Sequence, residues 1–455
     1  MIAGENQSLL TDFYQLTMAQ AYFREQQLGL ATFSLFIRNY PPNRGYFVSA
    51  GLQDVLDYLE SFHFEPAQID YLASQSLFSD DFLHYLVDLR FTGQVFAVPE
   101  GRIFFTDEPV LELTAPIIQA QIVETYIINQ IHLQSLIATK ATRCVQAAGG
   151  RPVVDFALRR THGSDAGMKV ARASYLAGFA GTSNVMAGLR YGIPLVGTMA
   201  HSFIASFEDE IDAFRAYVAS FPNNAILLID TYDTLAGAKN AVQVARELAG
   251  RGQALIGVRI DSGDMAALAV EVRRIFDAAG LENVKIIGSG GLDEFALERL
   301  TDAGAPFDSY GVGTKMGVSA DAPWADVAYK LVDYQERPVL KLSMGKESWP
   351  GKKQVFRRVN SKMQIEKDIV GLRAEELSGE RLLEEKMRNG RATSPYPKLP
   401  EMRERLTADL AALPKSAKQL RDPARFAAEF SPKLKGLRDE IAKKKCEVTE
   451  PHERG

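Results

Sequence analysis

The chain has 455 residues, 46% hydrophobic and 24% charged, enough for two to four domains or for one large α/β barrel with an attached domain. A net charge of −5 disfavours nucleic acid or an anionic membrane as the main partner, and two distant cysteines, Cys144 and Cys446, exclude a disulfide framework and a zinc–thiolate site. No run approaches the roughly 18 apolar residues of a membrane span, and the N-terminus lacks the pattern of a secretory signal, so the cytoplasm is the expected location.

Thr11 and Asp12 precede FYQLTMAQAYF, which reads as a capped helix with Tyr14 off its apolar face. ATFSLFIR follows as a strand, then a PPNRG turn and a helix from Gly51 to Glu60. Short β segments then lead into a helical stretch over 117–148. Residues 1–140 are therefore expected to form an N-terminal α+β domain.

From 141 to 330 short apolar runs alternate with helical stretches: PVVDFAL, PLVGT, AILLID, ALIGVRI, VKIIGS and SYGVG. Their spacing of roughly 25 to 40 residues is that of βα units. Strands apolar on both faces indicate a parallel sheet covered on both sides, which a barrel or an open doubly wound sheet would satisfy. Polar residues follow nearly every run and no GxGxxG follows the first, so an irregular TIM-like α/β barrel is the preferred reading. AYKLVDY, PVLKLSM and KQVFRRV are strand-like, and residues 331–370 are expected to return to the N-terminal domain. Residues 371–455 read as a charged helical extension, in which the KKK near the end is a solvated helix terminus.

The polar groups after the strands are Arg159 and Arg160; Thr198, His201 and Ser202; Asp230, Thr231 and Asp233; Arg259, Asp261, Ser262, Gly263 and Asp264; Ser289, Gly290 and Gly291; Gly313, Thr314 and Lys315. Singly, the Asp, Ser and Gly residues are ordinary turn formers or N-caps, and a lone histidine is more often structural. Convergence on one barrel rim is what the ordinary reading does not foresee. Glycine-rich turns offer backbone N–H groups to phosphate, aspartates are hard ligands for Mg²⁺, and arginines match carboxylate or phosphate. His201 suits phosphoryl transfer or acid–base work. No GxSxG elbow with a partner histidine and no HExxH occurs.

TDFYQLTMAQAYF, VDFALRRTHG, GFAGTSNVMAG, GTMAHSF, IDTYDT, VRIDSGD and YGVGT, in this order, resemble the nicotinate phosphoribosyltransferase family from about Leu9 to Arg357. The resemblance implies a type II phosphoribosyltransferase: an irregular α/β barrel, an α+β domain from the N-terminal part with later segments, and a homodimer with shared active sites. It implies that nicotinate and phosphoribosyl pyrophosphate become nicotinate mononucleotide and pyrophosphate while ATP is hydrolysed, with Mg²⁺ required. His201 then looks like the phosphorylated histidine, with Asp230 a candidate to orient it. Arg259, Arg159, Thr198 and Tyr14 resemble nicotinate-site residues, the tyrosine coming from the neighbouring subunit. Gly313 and Thr314 look like the 5′-phosphate loop, Gly290 like part of a second phosphate loop, and Asp230 and Asp261 like the magnesium-side carboxylates. Related nicotinamide enzymes carry an aspartate where this chain has Ser183, and a carboxylate there would repel nicotinate, so the acid is the expected substrate. The alternatives are a nicotinamide or quinolinate phosphoribosyltransferase, a barrel isomerase or lyase acting on a phosphorylated sugar, and a non-catalytic nucleotide sensor.

Overall fold

The computed structural model describes residues 6–343 and 345–449 and divides into two units, one ending at Leu136 and resuming at Trp324, the other running from Ile137 to Pro323. The start of the leader reading (residues 1–5), Met344 of PVLKLSM and the side chain of Cys446 lie outside the described residues. Among those described, no helix is long and apolar enough to cross a membrane.

In the first unit the strand Leu30–Ile37 is buried from Ala31 onward, so it has no solvent face. It sits inside a seven-stranded antiparallel sheet. Its neighbours there are Leu111–Pro116 and Val327–Tyr334. Beyond Leu111–Pro116 come Gln94–Ala97, Glu384–Arg388 and Arg391–Ala392. Phe33, Leu35, Val95, Leu111 and Leu113 form its core with Phe82 and Leu86 of the helix Asp80–Val87. Lys353–Val359 and Ile365–Leu372 pair in a second sheet of four strands.

Two expectations are corrected here. The stretch after residue 371, read as helical, also supplies strands, because Glu384–Arg388 buries Met387 and keeps charges outward, as suits a strand near a sheet edge. Within PVLKLSM the described residues 338–343 form no strand beyond the short pairing of Arg337–Pro338 with Asp333 and Tyr334.

The second unit holds six parallel strands, ordered Gly181–Thr182, Val153–Asp155, Ser309–Val312, Lys285–Gly288, Gly257–Ile260 and Ile226–Leu228. The last strand in sequence pairs with the first, which is barrel winding rather than an open doubly wound sheet. PLVGT adds only one bridge, Leu195 to Thr182, and no pairing among the described residues joins that edge to Ile226–Leu228. Hydrogen bonding thus stops at one seam, where a full TIM barrel would close. Parallel strands put all their C-terminal ends on one rim.

The helices returning from that rim start alike. Asp233, Asp264 and Asp293 are N-caps whose carboxylates accept from Ala236, Ala267 and Ala296 N–H at 2.7, 3.2 and 2.8 Å. Gly237 sits so close to the preceding strand that a Cβ would lie 2.1 Å from the Ile229 carbonyl.

Buried charges tie the second sheet of the first unit to its helix Leu399–Ala412. Arg357 grips Asp368 at 2.6 and 3.0 Å, and Asp409 of that helix takes Arg102 at 2.9 Å and Arg357 at 3.3 Å. Glu108 is buried beside them and accepts the Phe105 N–H at 2.9 Å. Burial, with Asp368 adding to it and Arg357 opposing, holds its carboxyl well above the ordinary 4.5. A carboxyl with a higher pKa folded than unfolded costs stability as pH rises through that window. Glu108→Gln should therefore raise Tm by about 2–4 °C at pH 8 and by little near pH 4.5, read by scanning calorimetry at both pH values.

Candidate active site

The rim is stitched sideways by side chains. Asp230, after Ile226–Leu228, accepts at Oδ2 from the Asp261 N–H (3.0 Å) and the Ser262 hydroxyl (2.6 Å) on the next strand's loop. Asp261 Oδ1 accepts from the Ser289 hydroxyl at 2.5 Å, one strand further on. Asp230 Oδ1 is buried with no hydrogen-bond partner among the described residues. A bare anionic oxygen in such a place is costly unless a cation or donor arrives. No cluster of three or more His, Cys, Asp or Glu side chains among the described residues is arranged to hold a metal by itself.

Arg259 lies at the end of Gly257–Ile260. Its Nη2 donates to the Met199 carbonyl at 2.7 Å, its Nε is buried without a partner among the described residues, and Phe156 lies 6.0 Å from the guanidinium. Burial lowers its pKa; Asp261 and Asp230 oppose this, while the like charge of Arg159 lowers it further. It stays a cation at any working pH. Arg159 and Arg160 are exposed in the short turn Leu158–Arg160. A guanidinium with a buried donor to spare, on the same rim as two exposed arginines, has the chemistry to receive an anion.

Thr198 stands next to the Met199 carbonyl that Arg259 grips. His201 begins a five-residue helix, is exposed, and has Nδ1 3.1 Å from the Thr231 hydroxyl. The partner His201 has here is thus the residue after Asp230, whose own Oδ2 is engaged by Asp261 and Ser262. Ser183 is exposed after Gly181–Thr182, with its N–H on the Asp155 carbonyl at 2.8 Å.

Gly290 has φ +90°, and a Cβ would come 1.8 Å from the Asp261 carbonyl. Only glycine allows that turn to pass so close to the neighbouring loop. Gly313 caps the short helix Thr314–Gly317 at φ −130°, ψ −103°, against the Phe156 carbonyl. The barrel unit thus brings Arg159, Ser183, Thr198, His201, Asp230, Arg259, Asp261, Gly290, Gly313 and Thr314 to the loops of one rim. Tyr14 belongs to the other unit, half exposed on the helix Phe13–Arg24.

Asp233 and Asp264, which shared the rim in sequence, are helix caps. Sequence reading passed over Asp155, buried, with Oδ1 taking the Ala157 N–H (2.8 Å) and Oδ2 the Thr182 hydroxyl (2.7 Å). A carboxylate closing an apolar strand was the signal available for it.

Comparison with known proteins bears on the whole chain. Residues 9–132 match the nicotinate phosphoribosyltransferase (NAPRTase) N-terminal domain, 152–349 the nicotinate phosphoribosyltransferase (NAPRTase) family, and 372–438 the nicotinate phosphoribosyltransferase C-terminal domain. The chain is 48% identical to nicotinate phosphoribosyltransferase pncB2 of Mycobacterium tuberculosis over 91% of its own length and 89% of that protein. It is 39% identical to the Bacillus subtilis nicotinate phosphoribosyltransferase over 83% and 78% of the two chains. The crystal structure of human nicotinic acid phosphoribosyltransferase superposes with a TM-score of 0.87 at 30% identity, covering 95% of this chain and 99% of that one.

The Gly290 turn yields a direct test of the rim. Gly290→Ala should weaken pyrophosphate binding by about tenfold or more, measured by calorimetry, because the turn must leave the Asp261 carbonyl to admit a methyl group.

Proposed function

Since the chain belongs to the nicotinate phosphoribosyltransferase family, we propose that it forms nicotinate mononucleotide and pyrophosphate from nicotinate and phosphoribosyl pyrophosphate, in the cytoplasm, coupled to ATP hydrolysis. The observation that carries this reading is Arg259, half-buried, whose buried Nε has no partner among the described residues, on the same rim as Arg159. Such a pair suits the pyridine carboxylate and nearby phosphates. Thr198 and Ser183 complete the nicotinate side. Tyr14 is assigned to the pocket of a neighbouring copy in a homodimer with shared sites, and the scaffold is read as an irregular TIM-like barrel.

The reaction displaces pyrophosphate from the anomeric carbon of the ribose, through charge resembling an oxocarbenium ion. The pyridine nitrogen brings its own lone pair, so no side chain need act as base. The protein's work is to align nitrogen, carbon and leaving oxygen, and to stabilise negative charge as it builds on pyrophosphate. Gly313 and Thr314 hold the 5′-phosphate, and the turn at Gly290 offers a second phosphate contact. Asp230 and Asp261 would hold Mg²⁺, with the unpartnered Asp230 Oδ1 as the available ligand. That ion, when bound, would offset charge on the leaving pyrophosphate.

His201, exposed and held by Thr231, is the acceptor of the ATP γ-phosphoryl group, releasing ADP; water then cleaves the phosphohistidine to phosphate. The added charge would reorder the loop between cycles.

Product formation from nicotinate, with and without ATP and beside nicotinamide and quinolinate controls, tests the reading. Nicotinate-selective product that rises with ATP is expected; product from another base, or from none, overturns it. His201→Ala should lose the ATP stimulation and keep slow ATP-independent turnover, so intact ATP coupling in that variant would refute the phosphohistidine. Ser183→Asp should shift the ratio of kcat/KM for nicotinate over nicotinamide down by about tenfold or more, the direction a like-charge contact with the substrate carboxylate sets. An unmoved ratio would remove Ser183 from specificity.

A further inference from the structure

The two phosphate loops are held from beneath by a cation that the reaction does not use. Lys140, on the helix Glu124–Ala147, is 1% exposed, and its ammonium lies 2.5 Å from Glu294 Oε2 and 2.6 Å from Asp321 Oδ1. Glu294 is the first residue of the helix that follows the Ser289–Gly290–Gly291 turn. Asp321 lies shortly after the helix Thr314–Gly317 that follows Gly313. One buried ammonium therefore grips the far end of each loop.

Arg143, one turn along the same helix, takes the other Glu294 oxygen at 3.0 Å, and the Phe295 ring lies 5.8 Å from both cations. Lys140, Arg143 and Glu294 are all buried. Each is costly to bury alone, so the cluster resists the loss of any contact far more than an exposed pair does. A second tie joins the same loops nearer solvent, Lys315 to Asp293 at 3.0 Å, but Lys315 is half exposed.

We propose that Lys140, through Glu294 and Asp321, is a positioning residue that fixes the spacing of the two phosphate loops for phosphoribosyl pyrophosphate. The substrate carries phosphate at both ends of its ribose, so two anion sites must stand a set distance apart. Each loop is short and glycine-bearing, and without Lys140 only the half-exposed Lys315–Asp293 pair among these ion pairs would join them. On its other side the first loop abuts Asp261 at Gly290, so the Lys140 contact closes the bracket. This role depends on phosphoribosyl pyrophosphate being the substrate.

Asp321→Asn decides the matter by sign. Removing a carboxylate from an anion-binding loop should, by charge alone, tighten phosphate binding. Cutting a tether should weaken it. The expected result is a KM for phosphoribosyl pyrophosphate raised about tenfold, with KM for nicotinate nearly unchanged, and a matching loss in pyrophosphate affinity by calorimetry. Asp321→Glu, which keeps the charge, should recover most of that loss. Glu294→Gln cuts the other limb and should give the same selective rise, which keeps the test open if Asp321→Asn does not fold. A KM for phosphoribosyl pyrophosphate and a pyrophosphate affinity at or better than the parent's in a folded variant would overturn the tether. A parent enzyme that makes no nicotinate mononucleotide would instead fail the substrate reading, while pyrophosphate affinity would still report on the loops.

Discussion

The Asp230 carboxylate governs the rim on which everything else stands. Where parallel strands end, their last backbone groups lose sheet partners, and loops must find replacements. Asp230 supplies one to the Asp261 N–H across the gap to the next strand, and the Asp261 carboxylate accepts the Ser289 hydroxyl beyond it. Asp230 divides its work between its oxygens: Oδ2 is spent on structure, and Oδ1 stands without a partner among the described residues. Rigidity and reactivity thus reside in one side chain. A loop held by such short contacts loses little freedom when a charged ligand settles on it, which favours affinity for polyanions.

Much of the barrel was legible because its signals are local. Strand runs such as ALIGVRI and VKIIGS are apolar on both faces, and the strands fall within them. The caps were legible too, once the spacing is seen: Asp230 and Asp233, like Asp261 and Asp264, stand three apart, the first ending the strand and the second starting the helix. PLVGT and PVLKLSM misled because apolar β-branched composition marks a strand only when a neighbour is there to pair with it. Leu195 finds one bridge, and PVLKLSM pairs only at its start. Glu384–Arg388 went unread for the opposite reason, since its charges hide a single buried methionine.

The candidate site was legible as a set of residue types and illegible as contacts. Sequence placed Arg259 and Arg159 on one rim, and the structure has both at strand ends on that rim. It could not tell that His201 leans on Thr231 rather than on Asp230, because adjacent residues at a strand end point in different directions. Lys140 was invisible for a deeper reason. It lies inside a helical pattern, and its partners Glu294 and Asp321 are more than 150 residues away in the chain. Only packing reveals that a lysine among apolar neighbours is paired.

The open seam carries a consequence for how such chains diverge. Across most of the sheet a change in loop length must respect strand register, since a slip of one residue turns every side chain to the wrong face. Between Leu195 and Ile226 no ladder exists to be thrown out of step. That crossing, which carries His201, can gain or lose residues at little cost to the barrel. Insertions and deletions should therefore gather there, allowing the segment around His201 to be remodelled while the loops at Gly290 and Gly313 keep their lengths.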